Sequence, residues 1–512
     1  MNFLDRTIAT IAPQAALRRA LARAQLDAVR AFDAAGSGRR TGSWIGSNAS
    51  ANAETRGALS RIRARSRDVV RNTWWGPRIV SVFTAHAVGT GITPVFKTGD
   101  KALNREAAEL WRDWGRTCDA EGQLGIDGLV GLGCRSIIES GEVLARLIPM
   151  QRSGKRVPLE IMLLEPDHLD SSRDTITAGR IVDQGIEYGA SGRRSAYWLL
   201  PEHPGHRGLI SRQTSVRVPA DQVLHVYRKD RIGQGRGVPW VAPVILNGRD
   251  VADLEEAIRV KARVEACLAL LVKTNDTART LAGAQTETKS DGSQRRLETL
   301  SPAMIRYLEP GEDVEVVNPS SSLAFESVLQ NSWMTLAAGA GITYDQLTGD
   351  LRRANYSSLR AGKIEFRRLV EQFQWLTLVS MLLDPLADAF VEMAQTAGSL
   401  PRRSGGYPRE WIMPANEPID PLKDLQADIL AVRAGRMTWP QFVAAWGFDP
   451  DEQLDEIADW MNRFDDKEVV LDSDPRRAAK GVKGASQTET KGDGEDKQPD
   501  DSEDDGAGGD EA

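Results

Sequence analysis

Between Gly248 and Leu382 the apolar positions keep a helical period, lose it, and regain it twice. Val251, Leu254, Ile258, Val264, Leu268 and Leu271 fall on one side of residues 248–274, with Arg259, Lys261 and Arg263 opposite, which predicts an amphipathic helix. Residues 275–320 lose the period and gain Gly, Pro, Ser and Thr. A second helix is predicted over 321–341 from Phe325, Val328, Leu329, Ser332 and Leu336, and it stops at Gly339 and Gly341. Residues 342–358 read as a polar loop. A third, long helix follows from about Ser358, with Leu359, Phe366, Leu369, Phe373 and Leu376 in period. Asp384-Pro385 is expected to break or restart it, and Gly398 to end it.

Upstream, Leu17, Leu21, Ala24, Ala28 and Phe32 align on an Arg-rich helix over 14–35. Its readings are a solvated helix, an arm docking on a partner, a nucleic-acid arm or a targeting presequence. A Gly/Ser/Asn linker containing Trp44 follows over 36–53. Next come a basic helix with arginines at 61, 63, 65, 67 and 71, a helix from Pro77, and a turn at Gly89-Thr90-Gly91. That arginine run reads as a solvated or interface face, with phosphate contact as the competing reading. Helices are predicted over 102–120 and 125–140. Residues 140–230 then turn mostly to strands, with a hairpin at Ser191-Gly192. Residues 411–462 form a small helical unit with Trp439, Phe442, Trp446 and Trp460 available for packing. Beyond about Asp465 little is apolar, and disorder is expected. The fold class is α+β, mainly helical.

A chain of 512 residues exceeds one hydrophobic core, so about two to four domains are expected. No run of apolar residues is long enough to span a membrane, and no secretory leader is visible. Cys118, Cys134 and Cys267 share no close spacing and read as buried, reduced thiols. Charge is distributed unevenly. Residues 1–75 hold 13 Arg against 5 acidic residues, a net of +8, whereas residues 491–512 hold ten acidic residues against two Lys, a net of −8. The total of −7 therefore leaves about +1 outside the acidic tail. Tight DNA binding grows with the number of phosphates neutralised, so this body suits a surface that lines a polyanion without gripping it.

Searches for chemistry return little. A phosphate loop needs Gly-Lys followed by Ser or Thr, but Gly154-Lys155 and Gly362-Lys363 precede Arg156 and Ile364. His203 and His206 flank Pro204-Gly205, a surface turn rather than a metal pair. His225 lies in a strand and reads as a core or interface histidine. Asp167 and Glu287 are too far apart in sequence to argue a nuclease cluster. No cofactor is expected, and no catalytic or metal residue is singled out.

Several strings taken together, in their order and spacing, resemble the lambda-family portal proteins of tailed bacteriophages. They are RARSRDVVRN, VGTGI, GEVLARL, LLEPDHL, GIEYGASGRRSAYWLLPEHPG, VLHVYRKDRIGQGRGVPWVAP, LEPGEDVEVVNP, AAGAGITYDQLTGD and NYSSLR. The resemblance implies a non-enzymatic subunit of a ring of about twelve copies at one capsid vertex of the virion, assembled in the bacterial cytoplasm. Double-stranded DNA would pass through its channel. Its partners would be the terminase large subunit, the major capsid protein and a head-tail connector or head-completion protein, with no membrane.

By pattern, residues 1–53 would be a basic arm and linker and 54–247 the wing. Residues 248–274 and 321–341 would be stem helices, with the clip over 275–320 between them. Residues 342–358 would be the channel loop, 359–397 the long helix behind it, 398–464 the crown and 465–512 a disordered acidic tail. Tyr344, Arg352, Arg353, Asn355 and Tyr356 would offer DNA transient contacts, unless they serve loop turns and intersubunit hydrogen bonds instead. Glu255, Glu256, Arg259 and Lys261 are the residues expected to pair between subunits, the competing reading being a solvated face. A nucleic-acid-processing enzyme of a mobile element is the alternative from another class; it would need a metal or phosphate site. A scaffold or adaptor is a third reading.

Overall fold

The computed structural model describes Gln14 and residues 46–150, 155–177, 180–206, 214–268, 271–272, 286–288, 294–296, 306–307, 323–352 and 355–471. The predicted helix over 14–35 beyond Gln14, Trp44, the Cys267 side chain and the acidic tail beyond residue 471 lie outside the described residues.

Two helical hairpin elements and a sheet make the core of the first half. Helix α1 (Ala51–Asn72) is capped by Ser50, whose side chain accepts from the Ala53 amide. Helix α2 (Trp75–Ala87) follows almost at once and buries Ile79, Val80, Phe83 and Ala87. Strand β1 is Thr93–Phe96 and helix α3 is Lys101–Gly115, shorter than the 102–120 expected because Asp119 folds the chain into a turn, accepting from the amides of Glu121, Gln123 and Leu124. Helix α4 (Ile126–Ser140) buries Cys134, Ile137 and Ile138 and ends at Gly141, whose φ of 93° suits a residue without Cβ.

The β region holds two antiparallel sheets. Strand β2 (Glu142–Pro149) lies between β3 (Leu159–Leu164) and β9 (Val223–Tyr227), placing Leu144 opposite both Leu164 and His225. Strands β4 (Thr175–Thr177), β5 (Arg180–Asp183), β6 (Ile186–Tyr188), β7 (Arg194–Leu199) and β8 (Val216–Pro219) form a meander in that order. The turn between β6 and β7 holds Gly192 at φ 74°, as its turn signal predicts.

Helix α5 (Ile245–Leu268) packs on α6 (Leu323–Ala340), and the ammonium of Lys261 lies 4.7 Å from the ring centroid of Phe325. Between them the described pieces are the short strands β10 (Leu271–Val272), β11 (Thr286–Thr288), β12 (Gln294–Arg296) and β13 (Arg306–Tyr307), with β11 antiparallel to β12. The expected loop over 342–358 contains a one-turn helix, α7 (Tyr344–Thr348), and the long helix α8 (Tyr356–Phe373) begins inside it. Helix α8 does not break at Asp384-Pro385. It runs through a π-helical stretch, Gln374–Leu383, into α9 (Asp384–Thr396), with Pro385 in the first turn of α9 where its missing N–H costs least.

The five apolar residues read as one line on this helix divide between two faces. Phe366, Val370 and Phe373 are buried, but Leu369 and Leu376 are 44% and 63% exposed. At 3.6 residues per turn Leu369 and Leu376 sit roughly 60–80° from the line through Phe366 and Phe373, enough to turn them out of the core.

Strand β14 (Arg409–Ile412) pairs antiparallel with β1, Thr93 opposite Ile412. It was not expected, because four residues carry too little period to read. The described residues up to Gln426, with Ala445–Gly447, form one compact unit. The second unit, from Ala427, contains Trp439 tilted against Phe442 with ring centroids 5.6 Å apart and Trp460 tilted against Phe464 at 5.8 Å. Trp439 and Trp460 remain nearly half exposed, so these rings pack on sequence neighbours rather than in a core.

Candidate nucleic-acid interface

The segment from Gly341 to Asn355 is built by caps. Helix α6 ends as Gly341 takes φ 77°, and Ile342 is buried beside it. Thr343 then opens α7 with a reciprocal capping box: its hydroxyl accepts from the Gln346 amide, and Gln346 accepts from the Thr343 amide. Gly349 closes α7 in the left-handed region. Asn355 opens α8 with a second box, accepting from the Ser358 amide at 2.8 Å while Ser358 accepts from the Asn355 amide. Arg78 ties the segment to α2, donating to the Gln346 carbonyl at 2.7 Å.

Arg352 stands out, with its side chain 82% exposed, but its guanidinium folds back on Asp350 through two bonds of 2.9 Å. This pair holds the Asp350 carboxyl well below the usual range. Tyr344 points at the same carboxylate, its hydroxyl 3.5 Å away. Tyr344, Asp350 and Arg352 line a cavity of about 500 Å³ whose other walls include Trp74 and Trp333, stacked at 4.1 Å. The structure therefore brings Tyr344 and Arg352 together. It gives Asn355 a capping task that occupies its side-chain oxygen. Arg353 and the Tyr356 side chain lie outside the described residues.

On α5, Glu256 and Arg259 are exposed, whereas Glu255 is partly buried and its carboxyl is pushed up by that burial. Lys261 is committed within its own chain to Phe325.

Among the described residues a dense, buried charge cluster lies elsewhere and was not singled out by sequence reasoning. Glu142, at the start of β2, is fully buried. Its Oε1 accepts from Arg63 Nη2 at 2.9 Å and from Arg236 at 2.9 and 2.5 Å. Its Oε2 accepts from His225 Nε2 at 2.9 Å and from the Gly237 amide at 2.7 Å. Arg194 donates to His225 Nδ1 at 3.2 Å, so the proton of the neutral ring sits on Nε2. Burial holds His225 down at about 4, and the cations beside Glu142 overcome its own desolvation to keep it ionised. The arginine run of α1 thus splits. Arg63 is buried on Glu142, Arg67 reaches Asp167 at 2.6 Å and Glu165 at 2.8 Å, and Arg61, Arg65 and Arg71 face solvent. The available signal was Glu142 at the start of GEVLARL and Arg236 between the glycines of RIGQGRG, two charges set directly among apolar or glycine neighbours.

Glu165, Asp167 and His203 also converge, but the Arg67 guanidinium already occupies both carboxylates. His203 and His206 form the expected turn, with the His206 amide donating to the His203 carbonyl. Cys118 and Cys134 are free and buried, and burial pushes both thiols up to about 12, which makes them inert at neutral pH. Among the described residues no helix is long and apolar enough to cross a membrane.

The described residues form a mainly helical α+β chain whose loops are held by helix caps and whose charge clusters pair internally. The sequence pattern of the family described as phage portal protein, lambda family, matches residues 37–374, and the chain belongs to that family. It is similar to the probable portal protein of Halomonas phage phiHAP-1, 24% identical over 467 residues, covering 86% of this chain and 88% of that one. It is also similar to portal protein B of Escherichia phage lambda, at 22% identity over 464 residues, 81% of this chain and 86% of that one. Among solved structures it is similar to a chain from the neck of a native gene transfer agent particle computed with C12 symmetry. There the identity is 16%, the TM-score 0.39, and the coverage 77% of this chain and 94% of the other.

Proposed function

We propose that this chain is the structural, non-enzymatic subunit of a ring of about a dozen copies at one capsid vertex, through which double-stranded DNA enters and leaves the particle. The family membership over residues 37–374 carries the reading, supported by portal relatives matched along more than four-fifths of both lengths. In this reading α5 and α6 form the stem, the insert between them is the clip that meets the terminase large subunit and later a head-tail connector or head-completion protein, and the wing up to residue 247 faces the major capsid protein. The segment around α7 is the channel loop. Tyr344, Arg352, Arg353 and Tyr356 give passing phosphates weak contacts, and the Asp350–Arg352 pair tempers the one cation the segment exposes most. Glu256 and Arg259 face the neighbouring subunit. Assembly takes place in the host cytoplasm, and the mature location is the virion.

Deleting the gene from its phage or prophage and restoring it in trans tests the proposal. The deletion should yield capsids without packaged DNA, and the intact gene should restore full particles. DNA-filled particles formed without this chain would overturn it.

A further inference from the structure

The long helix formed by α8 and its π-helical continuation is apolar on two faces. One is spent in the core, through Phe366, Val370, Phe373, Leu378 and Leu382. The other exposes Ile364 at 43%, Leu369 at 44%, Trp375 at 48% and Leu376 at 63%. Two adjoining grooves share Leu369, Gln372 and Leu376, so these side chains form one continuous surface. A helix apolar all round is a buried helix, and a contiguous apolar face on a folded unit marks a contact site. The surface carries charges of both signs, Glu365, Arg368 and Glu371 on the helix and Arg228, Lys229 and Asp230 at its rim. Three cations and three carboxylates balance, which argues against a face that meets DNA directly.

The same unit carries a matching surface. Leu246, Asp250, Asp253, Ala257 and Val260 follow one line along the outer side of α5, all of them exposed, Leu246 by 67% and Val260 by 48%. From Leu246 to Val260 the line is about 21 Å long, and from Ile364 to Leu376 about 18 Å, by the helical rise per residue. Each surface places large apolar groups at its ends and charge between or beside them. Asp250 and Asp253 are in no ion pair among the described residues, nor are Arg368 and Lys229 on the other surface. Two different, complementary surfaces on one chain are what a closed ring needs, since its interface is repeated by rotation and never self-paired.

We propose that the exposed face of α8 and its π-helical continuation is covered by the outer line of α5 from a second copy of this chain. The inference rests on the ring reading above and names the contact that closes the ring. Hydroxyl-radical footprinting of the full-length, unmodified chain tests it, reading oxidation of Trp375, Leu376 and Val260 in assembled rings and in the dissociated chain. All three should be protected by about tenfold in the ring, the degree expected when an interface core is packed like a protein interior. Leu376→Glu should leave a folded chain, by circular dichroism and melting temperature, that no longer assembles. Rings whose Trp375 and Leu376 oxidise as fast as in the free chain would overturn this contact while leaving the ring intact, as would protection that appears only once capsid protein is added. A wild-type chain that never forms rings would overturn both the contact and the ring.

Discussion

Glu142→Gln removes one charge from a site with five donor atoms and almost no solvent exposure. Arg63 and Arg236 are 4% and 2% exposed, so both guanidiniums lose their main counter-charge while still buried. Geometry adds a second penalty. A glutamine offers one carbonyl oxygen, but three donor contacts converge on Oε1 and two on Oε2. Either orientation of the amide therefore aims N–H groups at N–H groups, at the two arginines or at His225 and Gly237. Breaking a buried pair by deleting one partner costs about 3–5 kcal/mol. By contrast Arg56→Ala, which cuts a pair whose arginine side chain is 51% exposed, should cost no more than about 1 kcal/mol. Chemical denaturation of the unassembled chain, followed by circular dichroism, measures both. A Glu142→Gln cost no larger than that of Arg56→Ala would refute the view that this cluster holds α1, β2, β9 and the loop at Arg236 together.

Acid should act through the same cluster. His225 is held from 6.5 down to about 4, so the unfolded chain takes up its proton first, and stability should fall as pH drops through that interval. Glu142, also depressed, loses its contribution at still lower pH, and His225→Gln should flatten the dependence between 6.5 and 4 in a pH series of melting temperatures. Gly141→Ala should cost about 1–3 kcal/mol, because φ is 93° and a Cβ there would lie 2.7 Å from the Gly237 carbonyl oxygen; a neutral result in denaturation would contradict that geometry. Gly248→Ala should cost a similar amount, about 1–3 kcal/mol by overpacking, since its Cβ would meet Trp75 at 2.2 Å where α5 crosses α2. Arg352→Ala with Arg353→Ala should lower the DNA content of particles without lowering the yield of capsids; unchanged content would remove these arginines from the channel.

The elements of this chain were legible where period and punctuation agreed. Helices α5, α6 and α8 form where the apolar spacing places them, although α5 ends at Leu268 and Leu271, expected on its apolar side, lies in a short strand instead; Gly341 and Gly192 turn the chain where turn chemistry demanded. Two kinds of feature were hidden. Some depend on small angular differences: Leu369 and Leu376 share a spacing with Phe366 yet lie outside the core, because steps of three and four accumulate unevenly around a helix. Others depend on distant pairing. Arg63 looks like one of five solvated arginines until Glu142, 79 residues away, is brought beside it. Strand β14 gains its identity only from β1, and the cap that Asn355 gives the Ser358 amide shows only in the folded geometry. Asp384-Pro385 marks where the helix restarts as α9, but a sequence does not show that the preceding turns have widened to π geometry.

Native mass of the purified full-length chain, together with its rotational symmetry in negative-stain images, decides whether the chain builds a ring. Rings of about a dozen copies around an open channel are the expected result. A chain that remains monomeric or dimeric at high concentration, and also in the presence of its own capsid protein, would contradict it.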